Sequence, residues 1–189
     1  MKVVRFFVAI TFWLLSGYPE LHAQSLPDSF QQLLQLTGMR LTVPSGFVQA
    51  PVVANGDVEY DFALKSETVK LEIRYRIWPF EAQSKRLPNR NSLFMTMMMT
   101  MALNVSNGTE PKATRYPPGD VKSEFGADAG ATCAVQTDSE FGTGYKFCVI
   151  SVIHKDDVAD AYEFYLCDDP RVAMSAIGTE SIYHALTFR

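Results

Sequence analysis

The residues that could carry chemistry are few in this chain, and histidine is the scarcest of them. Only His154 and His184 follow residue 23, and neither lies in a His-x-x-x-His or His-Glu-x-x-His spacing. Zinc needs three or four converging ligands, so these histidines, without a Cys-x-x-Cys, predict neither a metal site nor a cofactor. The sequence also lacks the glycine-rich patterns of a serine nucleophile elbow, a P-loop or a dinucleotide site.

The best candidate binding surface is a local basic and aromatic group. Arg74, Arg76 and Trp78 alternate along a predicted strand, so their side chains should point to the same side. Further basic residues follow at Lys85, Arg86 and Arg90. Because arginine offers a planar fork to carboxylate or phosphate, the group predicts a surface for a small anionic ligand or a protein partner. The alternative is a solvated strand face on which Glu72 pairs with the arginines.

A second candidate site is the glycine-rich bend at residues 126–130. A hydrolase acting there would use Asp128 or His154, which requires the two side chains to lie within hydrogen-bond reach of each other. The acidic pairs Asp156-Asp157 and Asp168-Asp169 fall at predicted turn and cap positions, where aspartate is common.

The three cysteines, Cys133, Cys148 and Cys167, all fall in predicted strands with apolar neighbours. If the last hairpin turns around Asp157 and Val158, Cys148 faces Cys167. Cross-strand Cβ atoms lie about 4.5–5.5 Å apart and a disulfide needs about 3.5–4.5 Å, so a bridge requires a close, non-hydrogen-bonded pair. The alternative is three buried free thiols, and one cysteine is left over in either case.

The segment Ser92 to Val105 predicts a largely buried helix, because apolar residues nearly encircle it. Its methionines could offer thioethers to Cu(I): Met95, Met97, Met98, Met99 and Met101. Adjacent helical positions point about 100° apart, so five cannot converge on one metal. We therefore interpret them as core residues that fill irregular gaps.

The rest of the pattern predicts one α+β domain over residues 24–189. Strict alternation over ten residues in the second arm of a hairpin predicts a strand with one buried and one polar face. The predicted order is a helix over 25–37, strands over 39–43, 58–64 and 69–78, the helix over 92–105, strands over 121–125, 131–136, 145–154 and 162–167, and a closing helical region from Pro170 that Gly178 interrupts before 182–188.

The start of the chain predicts export to the periplasm or the extracellular space. Lys2 and Arg5 precede an apolar run over residues 6–15, and a polar stretch ends at Ala23. This run is too short to span a bilayer, which needs about 20 residues. We interpret residues 1–23 as a cleavable signal peptide, with the alternative of a buried N-terminal helix. No later run approaches spanning length.

Charge narrows the set of partners. The whole chain has a formal net charge of −4, and removal of Lys2, Arg5 and Glu20 with the signal changes it to −5. That balance gives no reason to expect nucleic acid, which favours a strongly basic face. Asn104 and Asn107 begin glycosylation sequons, which matter only in a eukaryotic secretory pathway.

Three segments of the chain carry a family resemblance. LTVPSGFVQAP, the following VEYDFALKS and the closing SIYHALTFR resemble the opening strand and hairpin and the terminal helix of PsbP-like domains. The resemblance implies an α/β/α sandwich with a central antiparallel sheet, and a family of mostly accessory or binding proteins. No site motif matches, so no functional residue is carried over.

Three functions remain open on the sequence. The absence of catalytic groups favours an exported, non-enzymatic accessory or binding module with an unknown partner or ligand. The first alternative is a hydrolase at the bend of residues 126–130. The second is a structural or assembly subunit, which a large exposed apolar patch would indicate.

Overall fold

The computed structural model describes residues 25–80, 90–106, 108, 110–137 and 139–189. The predicted signal peptide, Lys85, Arg86 and Asn107 lie outside these residues. The helices are α1 (Asp28–Thr37), α2 (Arg90–Val105), α3 (Pro118–Asp120) with a π-helical turn (Val121–Phe125), α4 (Pro170–Ile177) and α5 (Glu180–Tyr183). The strands are β1 (Met39–Leu41), β2 (Phe47–Ala50), β3 (Phe62–Ser66), β4 (Leu71–Pro79), β5 (Thr114–Arg115), β6 (Ala129–Gln136), β7 (Phe147–Lys155), β8 (Ala159–Cys167) and β9 (Leu186–Phe188).

Seven strands form one antiparallel sheet in the order β2-β3-β4-β8-β7-β6-β5, and β1 pairs with β9 in a separate ribbon. The long central strands β4, β8 and β7 pair along nearly their whole length. This arrangement confirms the predicted α+β class with a central antiparallel sheet.

Both faces of this sheet are covered, and most side chains at both sets of alternating positions in β7 and β8 are apolar and buried. One face, here called the α2 face, packs under α2, with Tyr162 and Phe164 of β8 against Phe94 and Met98. The other, here called the α1 face, packs under α1 and the helical segments near the C-terminus, with Tyr165 of β8 in its core. The predicted polar face of β4, with Glu72, Arg74 and Arg76, is present but mostly buried, and only the end of the strand reaches solvent.

The first helix ends where the sequence predicts. Gly38 adopts a left-handed φ of 64°, and its N–H reaches the carbonyls of Gln35 and Leu34. Glycine takes this conformation without steric cost, so it terminates helices efficiently. The chain then passes directly into β1, which places α1 over the α1 face.

Two predicted elements differ from the structure. Residues 121–125 form a π-helical turn instead of a strand, because Val121 and Phe125 bury one helical side and Gly126, at φ 62°, ends the turn. The end of the predicted closing helix is strand β9, whose partner β1 lies far away in the sequence. The predicted hairpin starts at Phe62 instead of Val58, and β2 had no counterpart among the predicted strands.

The methionine-rich helix has the predicted position, and Met98 and Met101 are buried in the core of the α2 face. Within the part of the chain that the structure describes, no helix is both long enough and apolar enough to cross a membrane.

Candidate functional site

Arg74, the centre of the predicted basic surface, is buried within the α2 face. Its Nε lies 2.6 Å from Oε1 of Glu72, and its guanidinium also donates to the carbonyl oxygen of Phe141. The guanidinium carbon lies 4.8 Å from the ring centroid of Tyr60 and 4.7 Å from that of Phe141, and the two rings contact each other edge to face at 5.8 Å. Tyr145 donates to the other oxygen of Glu72 at 3.0 Å. Arg74 is thus enclosed by a carboxylate and two aromatic rings.

Arg76 and Trp78 lie nearer the surface on the same side of β4. Arg76 is paired with Asp61 at 2.8 Å and with Glu59 at 3.3 Å, and Trp78 is 42% exposed. The alternation is confirmed, because Ile73, Tyr75 and Ile77 are all buried on the α1 face. Carboxylates of the chain itself already pair with both arginines, Glu72 with Arg74 and Asp61 with Arg76. An anion-binding role for Arg74 and Arg76 stays a prediction that this geometry does not support.

Asp128 and His154 are neighbours, but their side chains bind other groups. The backbone N–H of Asp128 donates to the carbonyl of His154 at 2.8 Å, while its carboxylate accepts from the backbone N–H of Asp156 at 3.0 Å. The other carboxylate oxygen lies 3.3 Å from Nζ of Lys122. The contact that the hydrolase hypothesis requires between Asp128 and the imidazole is replaced by these bonds.

The imidazole of His154 lies between two carboxylates in the hairpin of β7 and β8. Nδ1 is 2.6 Å from Oδ1 of Asp160, and Nε2 is 2.9 Å from Oδ1 of Asp156. The ring stacks on Phe94 at a centroid distance of 5.2 Å. Burial alone would lower the pKa of His154, but the hydrogen bonds and charges of Asp160 and Asp156 outweigh it and raise that pKa.

This geometry makes His154 a structural clamp. When protonated, the ring donates to a carboxylate from each nitrogen, so no ring nitrogen has a free lone pair for general-base catalysis. The side chain is also only 1% exposed, which leaves little room for a substrate. His154, Asp156 and Asp160 therefore connect the two strands across their turn.

The predicted pairing of Cys148 with Cys167 is wrong by one residue of register. Cys148 faces Leu166, and Cys167 faces Phe147. Because side chains alternate in a strand, the one-residue shift sends Cys148 to the α2 face and Cys167 to the α1 face. All three cysteines are free and buried, and burial raises the pKa of the Cys133 thiol to about 11. A thiol in such surroundings is unreactive at neutral pH.

No metal centre is found within the described residues, where no group of three or more His, Cys, Asp and Glu side chains could hold an ion.

A concave surface lies at the opposite side of the sheet from Arg74, where α4 and α5 pack on the α1 face. It consists of two depressions of about 690 and 580 Å³ that share Ser45 and Ser181. The shared residues make them one continuous feature, here called the α4–α5 cleft. The lining comprises Thr42, Val43, Pro44, Ser45, Phe47, Ser66, Thr68, Val69, Leu71, Arg171, Val172, Ser175, Ala176, Thr179, Ser181, Ile182 and His184.

Local sequence features build each wall of the cleft. Val172, Ser175 and Ala176 have i, i+3 and i+4 spacing, so one side of α4 faces the cleft. Asp169 caps this helix by accepting from the N–H of Arg171 at 2.9 Å. On the opposite wall, the hydroxyl of Ser66 accepts from two backbone N–H groups and orders the turn before β4.

The cleft combines an aliphatic floor with exposed hydroxyls. Six of its hydroxyl residues are exposed to solvent: Thr42, Ser45, Thr68, Ser175, Thr179 and Ser181. The ionisable side chains in this lining, Arg171 and His184, already have acidic neighbours. Arg171 is paired with Asp169 at 2.6 Å, and His184 lies 3.7 Å from Glu124. The lining can therefore hydrogen-bond a ligand as donor or acceptor while contributing little net charge.

Sequence reasoning missed this cleft. Its walls come from residues 42–47, 66–71 and 171–184, which only the folded chain brings together. The local signals, a Pro-Ser-Gly turn and a capped helix, indicated the elements but not their contact.

The chain matches no protein-family model and no curated protein.

Proposed function

We propose that this protein is an exported, non-enzymatic binding module and that its ligand occupies the α4–α5 cleft. The observation that supports this proposal most strongly is the cleft itself, a concave surface of small-molecule size with an apolar floor and a few polar groups. The proposal agrees with the resemblance to PsbP-like domains, which implies an accessory or binding role. Export rests on the N-terminal pattern of residues 1–23.

The lining favours an uncharged ligand that has one apolar side. A charged ligand would lose its hydration without gaining a free counter-ion, because Asp169 already holds Arg171 and Glu124 lies near His184. Hydroxyl groups both donate and accept, so they suit amide, hydroxyl or carbonyl groups of a neutral molecule.

A binding role is favoured over hydrolysis because the histidines are poorly placed for catalysis. Both ring nitrogens of His154 bind carboxylates, and Nε2 of His184 is buried without a hydrogen bond to any described residue. A nucleophilic serine needs a base within hydrogen-bond reach. No described hydrogen bond joins Ser45 or Ser181 to His184.

The alternative of a structural or assembly subunit is supported only by a small exposed apolar area among the described residues. The outer side of α2 exposes Leu93 (42%) and Leu103 (54%) beside uncharged threonines. Single exposed leucines are normal on protein surfaces, so this side of α2 is a weaker candidate than the cleft.

The binding proposal is tested by locating where small neutral molecules bind. A library of uncharged fragments is titrated into the 15N-labelled protein, and amide shift changes are mapped on the structure. We expect the hits to perturb residues of 42–47 and 171–184. Hits that cluster instead around Trp78, or on α2, would contradict the cleft as the site.

Export is tested separately. Mass spectrometry of the protein recovered outside the cytoplasm of its own host should find Gln24 as the first residue. An intracellular protein that retains residues 1–23 would contradict export.

A further inference from the structure

A glutamate lies buried in the middle of the sheet. Glu163 is 3% exposed and belongs to β8 on the α1 face, where its register partners are Tyr75 of β4 and Ser151 of β7. Carboxylates are rarely buried unless a cation or several donors accompany them. Glu163 is therefore expected to have a specific role in this core.

Tyrosine hydroxyls surround Glu163, and no positively charged side chain is found near its carboxyl group among the described residues. Tyr75 faces it from β4, Tyr165 from its own strand and Tyr116 from the segment before α3. Burial raises the pKa of each of these tyrosines, so none ionises near neutral pH. Oε1 of Glu163 and the hydroxyl of Tyr75 have no hydrogen-bond partner among the described residues.

These surroundings favour the neutral acid. Burial raises the pKa of Glu163 to about 8, although a hydrogen bond from Tyr165 partly opposes the shift. Ionisation would place an uncompensated charge between two packed layers, which is costly unless water can enter.

The segment that could admit water is residues 116–127, here called the cover. Tyr116 lies over β6, and a Cβ on Gly130 would be 2.7 Å from its ring, so the close contact requires glycine. The hydroxyl of Tyr116 reaches Ser151 at 3.1 Å, beside Glu163. The cover is held by this bond, by the hydrogen bond that the N–H of Tyr116 donates to the carbonyl of Gly130 at 2.9 Å, and by the packing of Val121, Phe125 and Ala127 in the core.

We propose that Glu163 is a proton-controlled latch: the neutral carboxyl lets the cover close on the sheet, and its ionisation as pH rises opens the cover and hydrates the tyrosine cluster. The cover opens in preference to α1 because its side chain beside Glu163, Tyr116, is held by a hydroxyl hydrogen bond that water can replace. From α1, the ring of Phe30 contacts Tyr75 at a centroid distance of 6.4 Å and stacks on Phe62 at 4.8 Å. The proposal does not depend on the ligand of the cleft.

Hydrogen exchange between pH 6 and 8 tests the latch. After correction for base catalysis, protection of the Tyr116 and Ala127 amides should fall by up to about tenfold per pH unit in the wild-type protein. Their protection should also lie well below the limit set by global unfolding. In Glu163→Gln, which mimics the neutral acid, the protection of both amides should be independent of pH. The control Glu67→Gln changes an exposed glutamate and should behave as the wild type does.

Several results would overturn the latch. Protection of the cover amides that stays constant with pH in the wild type would do so, as would an equal fall in Glu163→Gln. Opening at α1 while the cover remains protected would also contradict it. If Glu163→Gln does not fold, the 13Cδ shift of Glu163 in the wild type gives an independent answer: we expect a midpoint near pH 8, and a midpoint near the ordinary value of about 4.3 would refute the proposal.

Discussion

The two faces of the sheet use polar residues in opposite ways. On the α2 face, charged groups are closed into pairs: Arg74 with Glu72, Arg76 with Asp61, and His154 between Asp156 and Asp160. On the α1 face, most polar groups that line the α4–α5 cleft are hydroxyls, and the carboxyl group of Glu163 lies among tyrosine hydroxyls without a neighbouring cation in the described part of the chain. The comparison leads us to assign the charged pairs a stabilising role and agrees with our proposal that a ligand binds in the hydroxyl-lined cleft.

The largest expected effect is at Arg74. Arg74→Ala leaves Glu72 buried without its cation, and loss of one partner of a buried pair costs about 3–5 kcal/mol. Urea unfolding should show this loss of stability. Arg171→Ala is the matched control, because its guanidinium is 90% exposed and its removal should change stability little. If both substitutions changed the free energy of unfolding by the same small amount, the stabilising role of the pairs on the α2 face would be contradicted.

The strand alternation around Arg74 could be predicted, but its burial could not. The period-two pattern correctly placed Ile73, Tyr75 and Ile77 in one core. What covers the other side is α2 together with Tyr60 and Phe141, which lie outside the strand itself. Local polarity does not reveal that a buried guanidinium packs against two aromatic rings.

The register of the last hairpin shows a second limit. A turn at Asp157 and Val158 was assumed, but the loop has three residues, because Lys155 pairs with Ala159 and Asp157 adopts a φ of 60°. One extra loop residue changes which side chains face each other, and it placed Cys148 and Cys167 on opposite faces. Turn length cannot be derived reliably from a pair of aspartates.

The second effect in size concerns the pH dependence of folding. With its folded pKa raised to about 8, Glu163 keeps a proton that the unfolded chain has released, so stability should fall as pH rises from about 4.5 to 8 and level off above it. The limiting slope for one group is about 1.4 kcal/mol per pH unit. Thermal or urea unfolding of Glu163→Gln should lack this contribution. If the stability of Glu163→Gln changed with pH as that of the wild type does, Glu163 would not be the source of this pH dependence.

A smaller effect is expected at the clamp on the α2 face. His154→Gln should lower the free energy of unfolding by about 1–3 kcal/mol at pH 6, because hydrogen bonds to charged groups are lost. The folded pKa of His154 is raised, so its contribution is complete below the unfolded value of about 6.5 and disappears as pH rises through the folded value. The difference between variant and wild type should therefore shrink toward pH 9. A difference that grows with pH would contradict a protonated clamp.

The smallest effect on stability, and the most direct test of the central claim, comes from filling the cleft. Ser175→Trp places a large ring in the cleft from an exposed position of α4, and Met174→Trp places the same ring on the neighbouring residue, which is exposed and outside the lining. Both should change unfolding free energy by no more than about 0.5 kcal/mol. The decisive measurement is the affinity of the best neutral fragment for each variant by NMR titration. We expect Ser175→Trp to abolish binding and Met174→Trp to retain it, whereas equal binding by both variants would contradict a binding function of the α4–α5 cleft.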